Sequence, residues 1–133
     1  MDNKELVKLA GEARKMSYSP YSCYAVGAAL LCADGTVYLG CNIENASFSP
    51  TVCAERTAFF KAVSEGKRDF SKIAIVGGKA DDPDGFSPPC GVCRQVMSEF
   101  CGKDFEVILL RDGEMVSKTF DQILPLTFDS SMM

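Results

Sequence analysis

The sequence predicts an α/β fold, with a single five-stranded mixed sheet flanked by helices. Three observations predict it. Helical and extended patterns alternate in the order α-β-β-α-β-α-β-β. Two Asp-Gly pairs, Asp34-Gly35 and Asp112-Gly113, each separate a pair of short apolar runs, as hairpin turns do. The remaining strand–helix–strand passages require crossovers, which lay helices over a sheet. A chain of 133 residues is large enough for one core and too small for two, so residues 1–133 are expected to be one domain.

The elements follow in order. Leu6, Leu9, Ala10, Ala13 and Met16 recur at helical spacing, which predicts an amphipathic helix over 3–16. Tyr18-Ser19-Pro20-Tyr21-Ser22 breaks it. Residues 24–32 are apolar on both alternating faces, as in a central strand covered on two sides. The return strand is 37–41, and 42–50 reads as a loop. Pro50 and Thr51 are expected to open a second helix over 51–65, ended by Gly66. A short strand at 73–76 precedes a long loop at 77–89, rich in Gly, Pro and Asp. Loops of that length in small domains usually serve function. A third helix is predicted from about 91 to 101. Strands at 105–110 and 115–119 flank Asp112-Gly113, and Leu124-Pro125 begins a tail containing Phe128.

Composition removes several function classes. The chain holds no histidine, which excludes a Ser-His-Asp or Cys-His nucleophile system and every histidine metal ligand. Acidic residues outnumber basic ones 18 to 14, and a net charge of −4 lacks the basic footprint that grips a nucleic acid polymer. The longest apolar run, 25–33, is far shorter than the roughly 20 residues that span a bilayer. With no apolar signal core behind Met1-Asp2-Asn3-Lys4-Glu5, a cytoplasmic protein without membrane contact is expected. The seven cysteines are then reduced thiols, and their odd number argues against a closed disulfide framework. Cys23, Cys32, Cys41 and Cys101 read as small buried hydrophobes. Phe59 and Phe60 read as core.

Three cysteines stand out by position. Pro89-Cys90-Gly91-Val92-Cys93 and Cys53-Ala54-Glu55 both fall in the first turn of a predicted helix. There, unpaired N–H groups and the positive end of the dipole favour thiolate, the form that binds metal. A Cys-x2-Cys spacing brings two sulfurs onto one ion, and a third can arrive from another helix. Three thiolates leave the fourth tetrahedral position of zinc open, as in catalytic sites; a fourth thiolate would close it, as in structural sites. Glu55, in the same turn as Cys53, is placed to reach a water at that open position. It would act as general base and then general acid.

Taken together, Cys53-Ala54-Glu55 and Pro89-Cys90-Gly91-Val92-Cys93 resemble the zinc signature of the cytidine and deoxycytidylate deaminase superfamily. Three further stretches narrow the resemblance to the small branch that acts on free nucleosides. Cys41-Asn42-Ile43-Glu44-Asn45 resembles its nucleoside-binding segment. Pro20-Tyr21-Ser22 with Tyr24-Ala25-Val26-Gly27-Ala28 resembles its first strand, and Leu124-Pro125-Leu126-Thr127-Phe128 its C-terminal segment. The similarity runs from about residue 5 to 128.

The resemblance implies an α/β/α sandwich and a hydrolytic deaminase of cytidine and 2′-deoxycytidine, serving pyrimidine salvage. It implies one Zn²⁺ per subunit, held by Cys53, Cys90 and Cys93, with Glu55 as proton shuttle. Asn42 and Glu44 match the pair that hydrogen-bonds the ribose, and the Ala54 N–H matches a contact to the pyrimidine carbonyl. Tyr24 matches an aromatic against the nucleoside. Phe128 matches one that reaches a neighbouring subunit's site in a homotetramer with sites at subunit junctions. Arg56 matches a residue near the thiolates, where three thiolates and Zn²⁺ sum to −1 and a cation offsets that charge. Two positions depart from the pattern: Phe48 stands where relatives often carry Tyr, and Tyr24 where they usually carry Phe.

Overall fold

The computed structural model describes all 133 residues. Helix α1 (Asn3–Arg14) leads into strands β1 (Tyr24–Cys32) and β2 (Val37–Cys41), then helix α2 (Ala54–Ser64) and strand β3 (Phe70–Lys79). Helix α3 (Gly91–Phe100), strands β4 (Glu106–Arg111) and β5 (Glu114–Thr119), a short helix α4 (Phe120–Ile123) and a final 3-10 turn (Ser130–Met132) complete the order. One five-stranded sheet has the order β2-β1-β3-β4-β5. Only β3 and β4 pair in parallel; the other three pairs are antiparallel. The sheet is therefore mixed, as expected. No helix is long and apolar enough to cross a membrane.

Both faces of the sheet are covered, which explains the unbroken apolar character of β1. Ala28 and Leu30 face α2 and α3, among Ala58, Phe59, Ala62 and Met97. Ala29 and Leu31 face α1, among Leu6 and Ala10. Asp2 caps α1 in a reciprocal box with Glu5, satisfying N–H groups that the first turn leaves open.

The topology decides where a site forms. Strands β2, β3 and β4 point the same way, since β2 and β3 both oppose β1 and β3 parallels β4. Helices α2 and α3 follow the C-terminal ends of β2 and β3, so their N-termini open at the same edge of the sheet. Crevices outside the carboxyl ends of strands are where open α/β sheets bind ligands.

Glycine lets α2 sit close enough. A Cβ at Gly40 would lie 2.4 Å from the Ala54 carbonyl oxygen and 2.6 Å from the Ala58 nitrogen, backbone atoms that cannot swing aside. Gly40→Ala is expected to lower stability by about 1–3 kcal/mol by forcing α2 off the sheet. Urea unfolding measures this directly, and an unchanged midpoint would mean that α2 does not dock on that strand.

Several expectations shift. Helix α2 begins at Ala54 and not at 51. Val52 instead pairs with Ile43 through two backbone hydrogen bonds of 3.0 Å, leaving Cys53 as the extended cap residue. Helix α1 stops at Arg14, whose Nε donates to the Ala25 carbonyl at 2.8 Å and Nη2 to that of Lys79 at 2.9 Å. Strand β3 is far longer than 73–76, because nine residues of β1 pair along it. Gly77 belongs to that strand: a Cβ there would meet Val26 Cγ2 at 2.7 Å. The long loop shrinks to residues 80–89. Two core expectations fail. Phe59 is fully buried, but Phe60 is 48% exposed on the outer side of α2. Cys32 is buried and Cys41 and Cys101 are half-buried, but Cys23 is exposed, in a left-handed turn at φ 57°.

Candidate active site

The sulfurs of Cys53, Cys90 and Cys93 meet at the common edge of α2 and α3, all within 4.8 Å of one another. Cys53 Sγ lies 3.7 Å from Cys90 Sγ, and Cys90 Sγ lies 3.5 Å from Cys93 Sγ. Cys53 and Cys90 are the N-cap residues of α2 and α3, and Cys93 is the third residue of α3. The Cys93 N–H donates to Cys90 Sγ at 3.4 Å, so the open end of the helix already serves sulfur.

Hydrogen bonding from Cys93, and then from Arg56 and Cys90, pulls the Cys53 thiol down to about 5. Cys93 is held high, because it keeps the proton that it shares with Cys53. Arg56 Nη2 donates to Cys53 Sγ at 3.4 Å, while its Nε is buried with no partner in the chain. The donor set fits zinc: three soft sulfurs from two helix ends, a neighbouring cation, and no fourth Cys, Asp or Glu in the cluster. Cys23, Cys32, Cys41 and Cys101 stay out of it, so the ligand set is of the open kind.

A cleft of about 270 Å³ opens beside the sulfurs, lined among others by Tyr24, Asn42, Glu44, Cys53, Glu55 and Cys90. Glu55 is the second residue of α2 and only 4% exposed. Burial pushes its carboxyl up to about 7. Ala54, fully buried, lies between the two lining residues Cys53 and Glu55. Its N–H is the first of the helix and has no partner within it.

The two polar residues of the 42–44 segment are anchored before any ligand arrives. Asn42 Oδ1 accepts from the Val26 N–H at 2.9 Å and the Ser17 hydroxyl at 2.5 Å. Its Nδ2 donates to the Tyr24 carbonyl at 2.7 Å, which leaves one amide N–H free. Glu44 accepts from the hydroxyl of Ser22 and from the Tyr21 and Ser22 N–H groups at 3.0 and 3.1 Å. The Ser22 hydroxyl, followed by those backbone donors, keeps Glu44 below the ordinary carboxylate range. It is a fixed anion at neutral pH.

Of the residues singled out in the sequence, the structure gathers Tyr24, Asn42, Glu44, Cys53, Glu55 and Cys90 around one cleft, with Cys93 and Arg56 behind it. It does not bring Phe128 there. That ring is 61% exposed, and its carbonyl accepts from Gln95 Nε2 at 3.0 Å, which ties the tail to α3. Sequence reasoning missed Ser22, Thr51 and Ser87 as lining residues. Ser22 stood within a quoted stretch, but its pairing with Glu44 spans 22 positions and leaves no local pattern. Ser87 lay in a segment legible only as loop.

Comparison with known proteins agrees with this geometry. Residues 1–109 match the family described as the cytidine and deoxycytidylate deaminase zinc-binding region. The chain is 49% identical over 129 residues to a cytidine deaminase of Sporosarcina psychrophila, covering 96% of this chain and 92% of that one. Its fold superposes on the 1.6 Å crystal structure of a cytidine deaminase from Burkholderia pseudomallei with a TM-score of 0.88 and 43% identity, covering 96% of this chain and 100% of the other. It is also 34% identical over 128 residues to a blasticidin-S deaminase of Bacillus cereus, covering 93% of this chain and 90% of that protein.

Proposed function

Because the chain belongs to the cytidine and deoxycytidylate deaminase family, we propose that it hydrolyses free cytidine and 2′-deoxycytidine to uridine and 2′-deoxyuridine with release of ammonia, a step of pyrimidine salvage. One observation carries the reading: a buried carboxyl and a three-sulfur metal site open onto the same cleft as an anchored amide and carboxylate. Cys53, Cys90 and Cys93 hold one zinc ion per chain. When bound, zinc would acidify a water enough for it to be deprotonated near neutral pH and would stabilise the negative charge on that oxygen.

Glu55 takes the proton of the attacking water and delivers it to ring N3 as C4 becomes tetrahedral. It then takes the proton of the new 4-hydroxyl and passes it to the departing amine, so that C4=O forms as C4–N breaks and ammonia leaves. Burial suits it to both directions of transfer, since a carboxyl lifted toward neutrality gives and takes a proton with little bias. The Ala54 N–H binds the pyrimidine carbonyl. The free Asn42 amide N–H donates to a ribose hydroxyl and the Glu44 carboxylate accepts from one, which selects a nucleoside over a free base. Tyr24 supplies an aromatic wall, and Arg56 balances the thiolate charge.

The chain is one domain over residues 1–133 and acts in the cytoplasm as a homotetramer with sites at subunit junctions. What supports assembly is the apolar surface that one chain leaves uncovered: Phe48 is 70% exposed, and Phe128 projects from a tail pinned in place. Phe128 would then complete a neighbour's site.

Ammonia release from cytidine, 2′-deoxycytidine, blasticidin S, guanine and adenosine tests the reading, using zinc-loaded protein. Turnover of the two cytosine nucleosides is expected. Turnover of blasticidin S or a purine in their place, or silence across the panel from folded, zinc-loaded protein, would overturn it.

A further inference from the structure

We propose that Ser87 is a substrate-contacting residue whose hydroxyl accepts a hydrogen bond from the 4-amino group of the cytosine ring; this rests on the deamination reading above. Ser87 sits on the strap of residues 80–89 that joins β3 to α3. The strap is fixed immediately before it. The Gly77 N–H donates to the Gly85 carbonyl at 3.3 Å, and the two backbones are so close that a Cβ on Gly85 would lie 2.0 Å from the Gly77 oxygen. The next residue, Phe86, carries the Arg111 guanidinium 4.1 Å above its ring.

Only three polar residues of the chain are buried: Asn42, Glu55 and Ser87. The Asn42 amide is largely spent on the backbone and Ser17, and Glu55 has its proton-transfer role. Ser87 is 7% exposed, lines the cleft, and makes no side-chain hydrogen bond within the chain. Its oxygen is not sealed away, since Arg56 Nε is the one enclosed side-chain N or O atom without a partner; the Ser87 hydroxyl is open to the cleft and free to accept from a ligand there.

Two residues of the strap line the cleft with an unused acceptor, Ser87 with its hydroxyl and Pro88 with its carbonyl. The Pro89 carbonyl is already taken, accepting from Arg94 Nε at 2.8 Å. Cys90, a metal ligand, follows at once. The base edge that faces Glu55 and the sulfurs carries C4 and its amine, and the wall that runs into Cys90 meets that edge. The Ser87 oxygen is the polar side-chain atom on this wall, and it supplies an acceptor to an N–H donor.

The test compares Ser87→Ala with the parent on two ligands. One is cytidine. The other is a pyrimidin-2-one ribonucleoside, which carries hydrogen where cytidine carries the amine. Loss of one such hydrogen bond predicts a roughly tenfold fall in kcat/KM for cytidine. The inhibition constant of the pyrimidin-2-one nucleoside should move by less than about twofold, since it never made the contact. Zinc content and the unfolding midpoint should match the parent's. Equal losses on both ligands, no loss on either, or loss of zinc or stability alongside activity would each overturn the assignment. Failure of the parent to release ammonia from cytidine is a separate result, and it would remove the deamination reading and this inference with it.

Discussion

Glu55→Gln is expected to fold, bind one zinc per chain, and lose roughly 10³-fold or more of its turnover of cytidine. Glutamine keeps the size and polarity of the side chain, so the cleft retains its shape and KM should stay near the parent value. What disappears is the ability to carry a proton. Four transfers converge on this group in the proposed mechanism: from water, to N3, from the 4-hydroxyl and to the amine. No other carboxylate is available to share them, since Glu44 is held as an anion by the Ser22 hydroxyl and two backbone N–H groups. Stability should move the other way or not at all. Glu55 is buried and forms no ion pair; the salt bridges of the chain are Lys15–Glu12 and Lys67–Asp34, both on the surface. An ionisable group kept in such a place is tolerated for function and not for folding. An unfolding midpoint no lower than the parent's, with turnover gone, is the expected pair of results. A variant retaining more than about a tenth of parental kcat would remove the proton-shuttle role, because general acid–base catalysis contributes at least about a hundredfold.

The chemistry was legible because it is local. Cys53 and Glu55 lie in one turn, and Cys90 and Cys93 in another, so spacing alone placed four groups at two helix ends. The apolar run of β1 declared itself for the same reason, since each residue carries its own burial signal. What stayed hidden depends on distant partners. Val52 would extend a helix in isolation, yet Ile43 captures it, and this moves Cys53 from inside the helix to its cap. Gly77 and Gly78 look like loop residues until β1 is alongside, where close approach to Val26 is what glycine permits. Asn42 could be taken as a free ligand-binding amide, but Ser17, Tyr24 and Val26 use three of its four hydrogen-bonding positions. Phe60 and Cys23 failed as core residues because hydrophobic character states a preference, and the rotation of a helix or turn decides whether it is met.

Cys53→Ala should weaken zinc binding by more than about 10²-fold, beyond the 10–100-fold that loss of an outer-shell partner brings. Competition with a chromophoric chelator measures it. The less obvious consequence falls on Arg56. Cys53 Sγ is the sulfur its Nη2 reaches, at 3.4 Å, and its buried Nε has no partner in the chain. With Cys53 gone, the guanidinium faces a weaker acceptor set while remaining partly enclosed, and removing one partner of such a pair costs more than the pair itself contributes. The effect of Arg56→Gln on stability should therefore change sign with the background. In the parent it destabilises, because it strips the cation from Cys53. In Cys53→Ala it stabilises, because it removes a charge left without its partner. Unfolding in urea with a chelator present keeps metal linkage out of the comparison. Four proteins close the double-mutant cycle, and coupling well above the about 0.5 kcal/mol seen for independent sites is expected. Additive effects would mean that Arg56 does not balance the thiolate, and that the cation beside the sulfurs serves packing alone.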